Sequence, residues 1–233
     1  MTMSIGQLFF TSLTASFLVT GCLSIEKSYP DKRYFVLDIA LNVPPQKPPE
    51  SGTLQIASAR VSPRYADRNF VYRRSDTRFE SDFYNQFLIS PGVLVTEELR
   101  QELSRSGMFR FVIGSVNALA PTHTLEIVVN TLYGDFRDLK APKAVIEMEF
   151  FLTQEASPSG IVFHKLYHRT IPLDGRNPEA LVQGWNKALE AISGSLITDL
   201  KASRAHLEKR SSQIRGGHPF RLVRRGSLGP ETS

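Results

Sequence analysis

The chain has 233 residues, 41% hydrophobic and 22% charged, which allows one domain with a proper core. Its formal net charge of +5 is concentrated between Lys201 and Ser233, where eight basic residues stand against two acidic ones, so the body is near neutral and a nucleic-acid-binding domain is excluded. A single cysteine, Cys22, excludes an intrachain disulfide.

From Ile5 to Val19 no residue is charged. At about 1.5 Å per residue a helix over this run is roughly 22 Å long, short of the roughly 30 Å hydrocarbon core, so it reads as the apolar region of a signal peptide. The small residues Thr20 and Gly21 then precede Cys22, and LVTGC resembles the bacterial lipobox. That resemblance implies a diacylglyceryl group on the Cys22 sulfur, cleavage after Gly21 and acylation of the freed amine. At about 0.8 kcal/mol per buried methylene, two or three acyl chains hold a protein on a bilayer almost permanently. The alternatives are a buried free cysteine in a short hydrophobic helix and an uncleaved membrane anchor. The segment before Ile5 lacks the Lys or Arg usual in export signals, which leaves an upstream start open. Leu23, where Asp would signal inner-membrane retention, points to the outer membrane.

Residues 23–33 are polar and turn-forming, a tether reaching at most about 36 Å. Tyr34 to Ala40 reads as a first strand, and the Pro-rich stretch 42–52 as a loop. Leu54 to Val61 alternates as a second strand, and Phe70 to Arg74 forms a short third. Ser90 as N-cap, Pro91 at the first helical position and Val95, Leu99 and Leu103 four apart predict an amphipathic helix closed by Gly107.

Met108 to Ile113 is a strand. His123 to Asp138 is a long one, with Leu125, Ile127, Val129, Thr131 and Tyr133 on one face and a bulge expected at Gly134. Residues 144–155 put Ile146, Met148, Phe150 and Leu152 on one face, and SPSG, 157–160, turns the chain into residues 161–173, an antiparallel meander. Asn177 and Pro178 open a second helix carrying Leu181, Trp185, Ala188, Leu189, Ile192, Leu196 and Leu200. The expected fold is α+β, a mostly antiparallel sheet of about six strands with both helices on one face. The expected organisation is a signal peptide over 1–21, a lipidated tether over 22–33, a domain over 34–200 and a basic, disordered tail over 201–233.

Phe79, Phe83 and Phe87 share a face whether their segment is strand or helix, with Tyr84 and Leu88 opposite in the strand case. With Arg73 beside them, Phe79, Phe83, Tyr84 and Phe87 are candidates for contact with a partner or a lipid, the alternative being core packing. Arg73 and Arg74 with Glu80 and Asp82 also fit a solvated ion-pair surface.

Enzyme chemistry finds little support. His164 and His168 lie in a strand, where four residues span roughly 13 Å, too far to share a metal. Glu147 and Glu149 fit a solvated face. Neither HExxH nor Gly-x-Ser-x-Gly occurs, nor a Gly-rich phosphate loop. No enzyme, cofactor or metal is expected.

Residues 58–109, SARVSPRYADRNFVYRRSDTRFESDFYNQFLISPGVLVTEELRQELSRSGMF, resemble the ABC-type transport auxiliary lipoprotein family. The features are the Arg60–Val61 pair, FVYR between Arg68 and Arg73, the aromatic run Phe79 to Phe87, and the helix with Leu99 and Leu103. YFVLD, 34–38, resembles the family's opening strand, and the likeness extends from Tyr34 to Leu200. It implies an outer-membrane lipoprotein facing the periplasm of a Gram-negative bacterium. Its partners would be an MCE-domain (mammalian cell entry) protein and an ABC transporter permease and ATPase that move lipid between membranes. An adaptor role is the first expectation, and a carrier binding phospholipid between sheet and helices the second.

Overall fold

A computed structural model describes residues 30–39, 44–49, 52–115, 119–155 and 160–216. The signal-peptide stretch, Cys22 and most of the tether lie outside the described residues, as does 217–233. The described residues from Lys32 onward form one compact unit.

One long strand organises the sheet. β7 (His123–Asp135) pairs antiparallel with β8 (Lys143–Gln154) from His123 opposite Gln154 to Asp135 opposite Lys143, and β8 pairs antiparallel with β9 (Ile161–Pro172). This is the expected meander, and Ile146, Met148, Phe150 and Leu152 are buried as the alternation requires. On β7 the register slips between Val129 and Thr131. Leu125, Ile127 and Val129 are therefore buried, but beyond the slip Leu132 takes the core side and Thr131 and Tyr133 turn away, against the expected single face. Gly134 is not the bulge. Its missing side chain makes room for Leu181, whose methyls would lie 3.0 and 3.1 Å from a Cβ there.

Along the other edge of β7 run three short strands in succession, all parallel to it: β2 (Thr53–Ile56), β3 (Arg60–Val61) and β4 (Asn69–Arg73). The single strand expected over 54–61 is broken at its middle because the Ala59 N–H donates to Thr96 Oγ1 (2.9 Å) instead of a sheet neighbour. β5 (Phe79–Phe87) pairs antiparallel with β4, β1 (Arg33–Phe35) runs parallel to β5, and β6 (Phe111–Ile113) runs parallel to β2. Among the described residues the sheet thus has nine strands, and five of its eight strand pairings are parallel. The expectation of about six mostly antiparallel strands is corrected to a larger mixed sheet within the same α+β class. β1 is shorter than expected because the chain leaves the sheet after Phe35. The Asp38 N–H then donates to Asn186 Oδ1 (3.2 Å) and the Ile39 N–H to Glu98 Oε2 (3.1 Å).

Both helices, α1 (Pro91–Arg105) and α2 (Pro178–Gly216), cover one sheet face. α1 starts at Pro91, where a missing N–H costs nothing, although the Ser90 side chain makes no capping bond. It ends as expected at Gly107, whose φ of 67° favours glycine. Gln46 donates its N–H to the Arg105 carbonyl (3.0 Å), so the Pro-rich segment closes the helix end. Asn177 Oδ1 caps α2 by accepting the Ala180 N–H (2.8 Å). All seven predicted apolar positions from Leu181 to Leu200 are buried. Trp185 is fully buried, 5.0 Å edge-on from Phe70 and 5.4 Å from Phe87; each such ring contributes about 2 to 3 kcal/mol by burial.

α2 does not stop where its apolar stripe does. It continues to Gly216, so residues 201–216 are helical and not the irregular tail expected. The extension has Lys, Arg or Ala at seven of its sixteen positions and no Gly or Pro before Gly216, and Arg204 Nη1 donates to the Met108 carbonyl (2.7 Å).

Candidate functional site

The β4–β5 hairpin carries all the candidate contact residues, and its turn is held by charge. Arg73 pairs in register with Phe79, its Nη2 donates to the Asp76 carbonyl (3.2 Å) and its guanidinium lies 5.7 Å from the Phe79 ring centre. Arg137 Nη1 reaches Asp76 Oδ1 (2.6 Å) and Nη2 reaches Asp135 Oδ2 (2.8 Å), tying the turn to the end of β7. The Arg137 bonds hold the Asp135 carboxyl below its usual range and raise the guanidinium's own pKa. Arg74 Nε donates to Glu80 Oε2 (2.6 Å), whereas Arg73 turns to Asp76 and Asp82 accepts from uncharged groups, so the expected ion-paired surface forms only in part.

Further along, Asp82 remakes the strand. Its Oδ1 accepts the N–H groups of Tyr84 (2.9 Å) and Asn85 (3.0 Å), and its Oδ2 accepts the Tyr72 hydroxyl (2.9 Å) and Asn85 Nδ2 (2.6 Å). Burial pushes the Asp82 pKa up, but these hydrogen bonds outweigh it and the net shift is downward. Burial and the Asp82 bond together raise Tyr72. The register jumps from Phe70 opposite Asp82 to Asn69 opposite Gln86, so residues 83–85 bulge out.

Three inserted residues reverse the parity of the strand. Phe79, Phe83 and Phe87 therefore do not share a face, contrary to the expectation. Phe87 turns to the helices, 4.8 Å from Phe70 and 2% exposed. Phe79 stays on the open side, edge-on to Tyr133 at 5.7 Å. Phe83 is 59% exposed on the bulge, with Tyr84 against it at 5.4 Å and the Lys32 ammonium 3.9 Å from its ring centre. Tyr65, 5% exposed, and Tyr133 stack at 5.9 Å, so the aromatic row that starts at Phe79 runs inward to a buried ring that the sequence did not single out. The β7 slip, which falls at Asn130, is what turned Tyr133 to that side.

A second polar constellation lies between β9 and α2, where an open groove of about 590 Å³ is lined by Lys165, Tyr167, Arg169, Ser195 and Asp199. Asp199 Oδ2 accepts from Lys165 Nζ (2.7 Å) and Tyr167 Oη (2.6 Å). Lys165 and then Tyr167 hold Asp199 below its usual range, while burial and then Asp199 raise the Tyr167 phenol. Ser195 receives Arg169 Nη2 (2.9 Å) and donates to the Ala191 carbonyl (2.8 Å), which leaves its oxygen poorly placed as a nucleophile. On the open face His164 meets Glu149 (2.7 Å) and His168 meets Glu147 (3.3 Å), so each histidine has its own carboxylate. No group of three or more metal-ligating residues occurs among the described residues. No helix among the described residues is long and apolar enough to cross a membrane.

No family model matches the sequence, and no curated protein matches it either. Solved structures do resemble it. Protein XCC0632 from Xanthomonas campestris, of family DUF330, superposes with a TM-score of 0.65 at 14% identity, covering 76% of this chain and 99% of that one. The two share a fold. An uncharacterized protein gives a TM-score of 0.58 at 16% identity, over 73% of this chain and 99% of its own.

Proposed function

We propose that this protein is a lipid-anchored adaptor on the periplasmic side of the outer membrane. In this reading it docks on an MCE-domain protein and helps an ABC-type system move lipid between membranes, without catalysing a reaction itself. The lipobox-like LVTGC over 18–22 supports the anchor. The family-like segment 58–109 supports the transport context, and its fold is shared with a DUF330 protein.

One observation favours adaptor over carrier. A carrier would hold an acyl chain between sheet and helices, and that space is occupied by Phe70, Phe150, Trp185, Leu189 and Ile192, all fully buried. The grooves at β9–α2 and at Leu139–Arg176 are open and edged by charged side chains. The test is purification of the tagged chain from crosslinked membranes of a Gram-negative host, with the eluate analysed for both protein and lipid. Co-purification of an MCE-domain protein without stoichiometric phospholipid is the expected result. Stoichiometric phospholipid with no such protein would replace the adaptor by the carrier.

A further inference from the structure

The exposed apolar side chains are unevenly distributed. Tyr34, Val36, Phe83, Leu88 and Ile89, each between 44% and 59% exposed, gather along β1 and the end of β5. Tyr34 pairs with Gln86, and the Leu88 N–H donates to the Phe35 carbonyl (2.8 Å), which sets Val36 beside Leu88. Phe35 and Phe87 alternate inward onto Phe70. Lys32, Tyr34, Val36 and Leu88 consequently share the outward side. Packing has already taken what it can from these strands, so the outward side chains carry apolar surface that the fold itself does not use.

We propose that this face of β1 and β5 lies on the surface of a lipid bilayer, with Val36, Phe83, Leu88 and Ile89 entering the headgroup–acyl boundary. The proposal rests on the anchor reading above for which membrane is met. Chain order selects a bilayer over a protein partner as the occupant. Lys32, on the Phe83 ring, is ten residues after Cys22, a span of at most about 33 Å, so this is the first part of the domain to follow an anchored cysteine. Tyr34 has the apolar body and polar tip that suit a headgroup layer. Lys32 and Arg68 border the patch, the latter through its bond to the Leu88 carbonyl (3.2 Å), but Asp31 and Asp67 adjoin them in the chain. With the local charges nearly cancelling, apolar burial and not anionic lipid drives the contact, so neutral and anionic vesicles should be met equally well.

The test uses the full chain, produced in a Gram-negative host and reconstituted into vesicles of phosphatidylethanolamine and phosphatidylglycerol. The unsubstituted protein first reports on the anchor. A thioether-linked Cys22 takes up no thiol label, whereas one label per chain means that the anchor reading fails. Leu88→Cys is then labelled with an environment-sensitive fluorophore, and Leu166→Cys on β9, at the opposite edge of the sheet, is the control. Brominated acyl chains should quench position 88 at least threefold more than position 166, and Val36→Cys should repeat the result if a label at 88 disturbs the fold. Equal quenching at 88 and 166 on vesicle-bound protein overturns the proposal, as does protection of position 88 only when an MCE-domain protein is added. Should Cys22 prove free, the Cys22→Ser chain with Leu88→Cys is mixed with the same vesicles. Quenching at 88 then supports the patch without the anchor, and its absence overturns it.

Discussion

Gly184 and Ala144 are fitted to each other across the helix–sheet interface: a Cβ on Gly184 would lie 2.7 Å from the Ala144 Cβ and 2.5 Å from a Leu173 methyl. Leu173 has a flexible side chain that could yield, but Ala144 is fixed in the middle of the sheet by pairs to β7 and β9. Gly184→Ala is therefore expected to overpack the interface by about 1 to 3 kcal/mol, a fall of several degrees in Tm. Gly194, one helix face away, has nothing within 4 Å of such a Cβ. Gly194→Ala should stabilise the protein through helix propensity alone, by up to about 1 kcal/mol, and raise Tm. Thermal unfolding of the two variants separates close approach from propensity, and equal shifts would refute the distinction.

Asp82→Ala removes the acceptor of four hydrogen bonds and strands the Tyr72 hydroxyl, at a cost of about 2 kcal/mol. The sign with pH follows from the lowered folded pKa of Asp82. Its contribution is present above the ordinary carboxylate value of about 3.9 and is lost as pH falls through the lower folded one. Urea midpoints for wild type and variant should differ at pH 7 and draw together as the pH falls below the ordinary carboxylate range.

Glu102 presents the opposite case. It is 3% exposed on α1, its Oε1 has no hydrogen-bond partner among the described residues, and burial raises its pKa, with Arg105 opposing and Glu190 and Glu98 adding. A carboxyl with a raised folded pKa costs stability when ionised, and the cost vanishes where both states are protonated, below about pH 4. Glu102→Gln should therefore stabilise the protein by about 1 kcal/mol at pH 7 and have little effect near pH 4, as chemical denaturation at the two pH values will report.

Features set by local chemistry were legible in the sequence. The two helices followed from Pro91, Gly107, Asn177 and the apolar spacing, and the β7–β8–β9 meander followed from the alternation within each strand, while three of the four SPSG residues lie outside the described residues. What escaped was decided by partners distant in the chain. Ala59 leaves the sheet for Thr96, and Asp38 and Ile39 leave it for Asn186 and Glu98, so strands that alternate well on paper end early. Parallel pairing of β2, β3 and β4 to one edge of β7 likewise involves residues more than fifty positions away, which no local pattern encodes. In the candidate site, the identity of the aromatic residues was readable but their facing was not, because a single carboxylate, Asp82, inserts the bulge that reverses it.

That reversal separates packed from exposed aromatics within one strand. Phe87 touches Phe70 and Trp185 in the core, so Phe87→Ala should cost about 3 to 5 kcal/mol and lower Tm sharply. Phe83 stands on the bulge, 59% exposed, with Tyr84 and Lys32 against its ring, and Phe83→Ala should change stability by no more than about 0.5 kcal/mol. Phe79 lies between these extremes, losing its edge contact to Tyr133 and its place under Arg73. Stability and membrane contact thus move independently: Phe83→Ala should weaken bilayer contact while leaving the unfolding curve in place, whereas Phe87→Ala should lose both together. Measuring urea unfolding and vesicle quenching on the same preparations decides it, since a large stability loss in Phe83→Ala would mean that the bulge is packed and that its aromatic ring serves the fold.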